Sequence, residues 1–366
     1  MEKIARFIGI DQSKKSFEAA IVCDESTGIK RAKYKTTHSD ISRFISSLKE
    51  TDIIGLETGN NAFRLAKQII NKAHCKTYVL NAGNLNIIFR SLKKTDQEDA
   101  LRIAKFIQRT PEEELPTVTI PSDEEMAMRS LSTQSIAINS AKTSQANALH
   151  NLLWNNGISD VKRNEMKKKS VRLFFIEQLP KEYQKQALRM ESHIEFLEEQ
   201  IKEIEDEQKV YLQAHKEQTC ISMSMPGVGI QTAFVIQAFL GKMTDKFTNE
   251  RQVSFYSGFT PRIDSSGQIN RNCSITKRGP RQIRRVMTQA AWAALRSNNG
   301  SELKSFFENV ASRRGNKRAI VALSRKMLEI LYILHSRKEF YNTVSCKDHE
   351  YVIKKFKRYG LLKESA

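Results

Sequence analysis

Two short apolar runs near the start of the chain each finish on a carboxylate: Arg6-Phe7-Ile8-Gly9-Ile10-Asp11 and Ile53-Ile54-Gly55-Leu56-Glu57. Short apolar runs of this kind read as buried central strands. Each would deliver its acid at its carboxyl end, where open α/β sheets place their sites. Gln12-Ser13-Lys14-Lys15 is turn-like and Phe17 to Cys23 resumes as a strand, so the first run and its successor form a hairpin. The polar, alternating stretch from Ile29 to Thr36 suits a third strand near an edge. A helix capped by Ser39 or Asp40 runs to Leu48, and a second, capped by Asn60 or Asn61, carries Phe63, Ala66, Ile69 and Ile70 on one face. Thr77 to Leu80 is a further strand. Three strands, helix, strand, helix, strand, helix describes an α/β domain with a mixed sheet.

The last of those helices starts after Thr95, its expected cap, and lines up Asp96, Ala100, Ile103, Ala104 and Ile107. Asp99 lies one turn from Asp96, so both carboxylates project from the first turn, where the helix dipole favours negative charge. Taken alone, the pair equally fits two ordinary first-turn acids on a solvated helix. Together with Asp11 and Glu57 it gives four carboxylates from separate segments. Divalent cations would relieve their mutual repulsion, activate a nucleophile and stabilise a leaving oxygen.

Pro111 to Asp123 reads as a linker, with three prolines and the acids Glu112-Glu113-Glu114. From Glu124 the chain turns helical. Leu131, Ile138, Ala141, Ala148 and Leu152 fall on a seven-residue grid. After Pro180, Tyr183, Ala187, Met190, Ile194, Leu197, Ile201, Ile204 and Tyr211 repeat at three and four, with glutamates on the other faces. That is a coiled-coil pattern, either a hairpin with the preceding helix or a seam between subunits, and a contribution to assembly is expected. The basic run Lys162 to Lys169 suits a solvated face or a phosphate contact.

Composition changes again at Cys220. Met225-Pro226-Gly227-Val228-Gly229 opens a helix, the kind of turn that presents backbone N–H groups to a phosphate. A glycine-containing stretch with Ser265-Ser266-Gly267 follows. Then Lys277, Arg278, Arg281, Arg284 and Arg285 gather at the start of a helix opened by Pro280, with Arg262 upstream. A hydroxyl beside such a cluster is able to attack a phosphodiester while guanidinium groups hold the transition state; on the residues alone, the reading of the two serines as turn formers is the stronger one. Asn316 to Ser336 is a final amphipathic helix with a basic start. The domains expected are 1–110, a helical coiled-coil segment 111–215, a mainly α-helical domain 216–345 and a basic tail 346–366.

Lys and Arg outnumber Asp and Glu by 60 to 41, a formal charge of +19 over 366 residues. That surplus points to a polyanion, nucleic acid before an anionic membrane surface. Five scattered cysteines without a C-x-x-C pair exclude the usual zinc motifs and favour reduced thiols and a cytosolic setting. The absence of a long apolar run implies a soluble, intracellular protein.

Phe7-Ile8-Gly9-Ile10-Asp11, Leu56-Glu57-Thr58-Gly59 and Lys94-Thr95-Asp96-Gln97-Glu98-Asp99-Ala100 resemble the DEDD signature of the insertion-sequence transposases of the one-ten family, which includes the Piv DNA invertases. Met225 to Gly229, Gly258 to Arg262, Ser265-Ser266-Gly267 and Thr276-Lys277-Arg278-Gly279 resemble that family's second domain, in order and at fitting distances. The resemblance implies a RuvC-like, RNase H-fold N-terminal domain whose acids, by matching Asp11, Glu57, Asp96 and Asp99, bind Mg²⁺. It implies a serine that attacks DNA and becomes covalently linked to it, by matching Ser266. Gln268-Ile269-Asn270-Arg271 departs from the family's pattern, where many relatives carry a further glycine, so Ser265 stays as the alternative. It also implies a homo-tetramer with sites shared between subunits, a structured bridge RNA pairing with donor and target DNA, and a cytoplasmic, nucleoid-associated setting in a prokaryotic-type cell. The expected activity is transposition by a DNA recombinase; the alternative is a metal-dependent Holliday-junction-type nuclease without a covalent step.

Overall fold

The computed structural model describes residues 6–23, 28–59, 61–83, 85, 96–241, 243–266, 269–297, 301–341 and 350–361. The chain divides into two compact units, Met1–Ser122 and Asp123–Ala366.

In the first unit, five strands follow the apolar runs: β1 (Phe7–Gln12), β2 (Ser16–Val22), β3 (Ile29–Lys35), β4 (Ile53–Glu57) and β5 (Lys76–Leu80). They form one sheet in the order β3-β2-β1-β4-β5. β2 pairs antiparallel with both β1 and β3, whereas β4 runs parallel to β1 and β5. Alternation along β1 and β4 sends Ile8, Ile10, Ile54 and Leu56 into a core shared with α1 (His38–Ser46) and α2 (Ala62–Ala73), through Phe44, Ile45, Leu65 and Ile69. The opposite face carries α3 (Asp96–Arg109). Its Ala100 and Ala104 pack with Ala20 and Val22, and its Ile103 and Ile107 with Leu80 and Leu115.

Two glycines set how closely α3 approaches. A Cβ on Gly9 would stand 2.0 Å from the Ala100 carbonyl oxygen and 2.4 Å from the Ala104 nitrogen. Gly55, in register with Gly9, would meet side-chain carbons of Ile103 and Ile107 at 3.0 Å. The sheet is therefore a seat for the helix only because these residues lack side chains.

Local details depart from the sequence reading. Thr37, not Ser39 or Asp40, caps α1, its hydroxyl accepting the Asp40 N–H at 3.4 Å. The helix starts one residue before Ser39, so Asp40 occupies the third helical position. Its carboxylate instead accepts the Lys35 N–H at 3.0 Å. Asn61 is the N-cap of α2 but makes no side-chain cap bond; Asn60 and Thr95 lie outside the described residues. The stretch read as a linker after Pro111 hugs the sheet edge. Val118 N donates to Val79 O at 2.7 Å and Asn81 N to Pro116 O at 2.8 Å.

The second unit is mostly helical. α4 (Asp123–Asn155) is followed by α5 (Lys169–Glu177) and α6 (Lys181–Ala214). α4 and α6 lie antiparallel: Glu124 meets His215 at 3.0 Å at one end, Lys142 faces Glu198 at 3.9 Å, and Leu149 and Leu153 pack with Ala187 and Ile194 at the other. The heptad residues Ala187, Ile194, Leu197 and Ile204 are thus buried within one chain, as a helical hairpin. α5 is fastened to α6 by Arg172, 1% exposed, which donates to Glu191 at 2.6 and 2.9 Å, to Glu198 at 3.3 Å and to Met166 O at 3.0 Å.

Beyond the hairpin come α7 (Lys216–Ser224), α8 (Ile230–Leu240), the short α9 (Met243–Lys246) and α10 (Glu250–Tyr256). Next are strands β6 (Pro261–Ser266) and β7 (Ile269–Ile275), then α11 (Arg281–Leu295), α12 (Ser301–Arg314), α13 (Asn316–Arg337) and α14 (Glu350–Arg358). α8 is predominantly apolar and buried on nearly every residue, which makes it the axis of this core. The region read as a basic tail contains α14, whose Phe356 is buried in that core. Among the described residues, no helix is long and apolar enough to cross a membrane.

Candidate functional site

Asp11 follows Ile10 in β1, and Glu57 follows Leu56 in β4. Ile10 and Leu56 are register partners on neighbouring parallel strands, so the two acids stand side by side at the strand ends. Gly9 and Gly55, two residues earlier, face α3; the period of two puts Asp11 and Glu57 on that same face. The helix runs against β1: Phe7 packs near Ile107, and Gly9 sits against Ala100 and Ala104. The carboxyl ends of β1 and β4 therefore point toward the first turn of α3, which carries Asp96 and Asp99. Asp99 is 17% exposed in its side chain and receives Arg102 Nη1 at 3.3 Å. The side chain of Asp96 lies outside the described residues. Both Asp11 and Glu57 are half-buried.

A further acid belongs to this neighbourhood. Glu18 of β2 is the direct cross-strand partner of Asp11 and lies on the face that Ala20 and Val22 present to α3. It is 5% exposed and pairs with Lys33 Nζ at 3.0 Å. Like charges directly opposite on a sheet repel, and a lone acid within Ser16-Phe17-Glu18-Ala19-Ala20-Ile21-Val22 was the signal for it. Among the described residues, no group of three or more His, Cys, Asp or Glu is spaced to hold a metal ion. The donor chemistry is nevertheless all oxygen from carboxylates, which suits a hard divalent cation such as Mg²⁺ over zinc or copper.

In the second unit, Ser265 and Ser266 are the last two residues of β6. Their backbones pair with Asn270 and Ile269 of β7, so Ser266 stands where the hairpin turns; the side chains of both serines lie outside the described residues. No strand was expected from the sequence here, and the chain forms an antiparallel ribbon. At the other end of the ribbon, Thr276 N donates to Thr260 O at 2.8 Å and Lys277 N to Gly258 O at 3.1 Å. Gly258 and Gly279 have positive φ, 71° and 100°. A Cβ on Gly279 would stand 1.8 Å from Tyr256 O, and one on Gly258 would stand 2.1 Å from Arg278 O. Lys277 itself is left-handed, with φ 53°.

The basic residues divide by environment. Arg262, Lys277, Arg278, Arg281 and Arg285 are exposed. Arg284 is half-buried, its Nη1 donating to Ser257 O at 2.9 Å and Gly279 O at 3.1 Å. Burial, helped by the neighbouring Arg281, lowers its pKa from the ordinary guanidinium value. Arg284 therefore clamps the two glycine turns together, while Lys277, Arg278, Arg281 and Arg285 offer positive charge to solvent. The base of the ribbon joins the cationic start of α11, whose exposed charges suit a nucleic-acid backbone.

Comparison with known proteins bears on both units. Residues 8–155 match a family model for IS110-type DEDD transposases, and residues 221–308 match that of the Transposase IS116/IS110/IS902 family. The chain is 27% identical to the transposase for insertion sequence element IS1111A of Coxiella burnetii, over 93% of this chain and 92% of the relative. It is 24% identical to the transposase for insertion sequence element IS1328 of Yersinia enterocolitica, over 89% and 96% of the two chains. A probable family 20 transposase of Pseudomonas aeruginosa is 23% identical over 91% of this chain and 98% of its own.

Proposed function

Since this chain belongs to the IS110 family of DEDD insertion-sequence transposases, we propose that it cuts and rejoins DNA through a covalent phosphoserine, using Mg²⁺ held by Asp11, Glu57, Asp96 and Asp99. The observation that carries this reading is the pair of acids at the adjacent ends of β1 and β4, on the face covered by the helix that bears the other two. The strand order β3-β2-β1-β4-β5, with three antiparallel strands followed by two parallel ones, supports a RuvC-like, RNase H-type fold for this domain.

Mg²⁺ bound there would neutralise charge on the scissile phosphate. The protein's own groups would do the rest. Ser266 Oγ attacks phosphorus, a serine O–P bond forms and a deoxyribose O–P bond breaks; the serine proton leaves to solvent and the departing oxygen takes one up. A second strand's hydroxyl reverses the step, releasing Ser266 and sealing the new junction. Arg262, Lys277, Arg278, Arg281 and Arg285 grip neighbouring phosphates, and Arg284 holds the glycine turns that shape the platform. Donor and target DNA are the substrates, and a bridge RNA selects them. The chain works as a tetramer, assembled in part through the α4–α6 hairpin and with sites shared between subunits.

The test is to trap the intermediate. End-labelled DNA carrying the element's junction is incubated with Mg²⁺ and protein and resolved under denaturing conditions. A labelled protein–DNA adduct is expected. It should vanish with Ser266→Ala and with Asp11→Asn, and survive Ser265→Ala. Cleavage at an ordinary rate by Ser266→Ala, with no adduct, overturns the serine mechanism in favour of a hydrolytic nuclease.

A further inference from the structure

The edge strand β3 places two cations on the face of the sheet that α3 covers. Arg31 and Lys33 are the register partners of Ala20 and Glu18 in β2. Ala20 packs with Ala100 and Ala104 of α3, so the period of two puts Arg31 and Lys33 on that same side. Each meets an acid there. Lys33 pairs with Glu18 at 3.0 Å, and Arg31 reaches the helix itself, its Nη2 donating to Glu98 Oε1 at 2.9 Å.

Glu98 stands in the first turn of α3, between Asp96 and Asp99. The first backbone N–H groups of a helix have no intrahelical partners, and helix ends open before the middle does. The two acids that α3 contributes therefore sit on the part of it that its own hydrogen bonds fix least. One turn further in, Ala100, Ile103 and Ala104 are held close against Gly9. Arg31 extends that fixing to the turn ahead of them, joining it to the sheet across 67 residues of sequence. The side chains of Arg31 and Glu98 are 37% and 40% exposed. A pair so open to water adds little to stability, so its effect belongs to the placing of the turn and not to folding.

We propose that Arg31 is a positioning residue for the metal site. Through Glu98 it holds the first turn of α3 to the sheet, so that the backbone carrying Asp96 and Asp99 keeps its place relative to the ends of β1 and β4. The inference rests on the reading that Asp11, Glu57, Asp96 and Asp99 bind a divalent cation, and gives that site a support outside the acids themselves. Charge and position act here with opposite sign. A cation near a divalent metal repels it, so removing Arg31 tightens metal binding if Arg31 supplies charge alone. Removing a strut weakens it.

The test is Mn²⁺ binding to the full-length chain without DNA, followed by the electron paramagnetic resonance signal of the free ion, with Asp11→Asn as the reference for binding at the acids. Mn²⁺ takes the same oxygen ligands as Mg²⁺. Arg31→Gln should lower the affinity by about tenfold, the lower end of the range for removing a partner that orients a metal site, and leave the metal-free thermal midpoint unchanged. Arg31→Lys, which keeps a cation able to reach Glu98, should restore most of the affinity. In a Glu98→Gln background, Arg31→Gln should cost nothing further, because the contact is already gone. Lys30→Gln makes the same charge change on the opposite face of β3, beside Ile21, and is the control. An affinity in Arg31→Gln equal to or tighter than that of the wild type overturns the strut and leaves the acid site standing. So does a loss that comes with a lowered thermal midpoint, or one that persists in the Glu98→Gln background. A wild-type chain whose Mn²⁺ binding is absent, or indifferent to Asp11→Asn, overturns the acid site and the strut together.

Discussion

At the scale of single residues, the least replaceable groups are those whose surroundings leave them one state. His335 is buried beside Ser222, its Nε2 lying 2.8 Å from the hydroxyl, and burial pushes its pKa down to about 4. An unfolded histidine titrates near 6.5. Between those values the unfolded chain binds a proton that the folded one refuses. Stability therefore falls as pH drops from about 7 toward 4, by about 2 kcal/mol between pH 7 and pH 5 for this group. Thermal midpoints at the two pH values should differ more for the wild type than for His335→Gln. Glu18 was hidden for a different reason: an acid inside an apolar strand is visible as a letter, but only the β1–β2 register sets it opposite Asp11.

At the scale of elements, the α5–α6 contact depends on a buried ion pair. Glu191→Ala leaves Arg172, 1% exposed, without its bidentate partner, and should cost about 3–5 kcal/mol. Arg172→Met/Glu191→Leu should recover most of that loss, read as the denaturant midpoint of the helical unit. Elements with strong periodic patterns were legible: β1 and β4 from their apolar runs, α4 and α6 from residues such as Leu131, Ile194 and Ile204. The β6–β7 ribbon was not. Asp264, Ser265, Ser266, Asn270, Arg271 and Asn272 carry no hydrophobic alternation, and a two-stranded ribbon with polar residues is specified by its ends, where Gly258 and Gly279 cross. α14 was equally opaque, because it is only nine residues long and its core contact rests on Phe356. The places of Asp11 and Glu57 at their strand ends and of Asp99 in the first turn of α3 were legible, because strand ends and a helix start are positions that sequence pattern locates well.

At the scale of the whole molecule, a formal charge of +19 resides on a chain whose acids gather at one end of the sheet and along the helical hairpin. The C-terminal half carries the larger share of the surplus positive charge. If binding neutralises about 6–10 phosphates, affinity for duplex DNA should drop by about 10³–10⁵ between 50 and 200 mM salt. An affinity independent of salt would contradict the reading of this surface.

The bare backbone at Gly9 has a genetic consequence. Every missense change in its codon installs at least a methyl group, and the nearest occupied position is a peptide oxygen 2.0 Å away with no means of retreat short of moving α3. Wherever an insertion sequence is present in several copies, the idle ones accumulate errors. A lesion at this codon would disable the acid-bearing domain without touching any acid, so a survey of decayed copies that inspected only the four carboxylates would count dead genes as live.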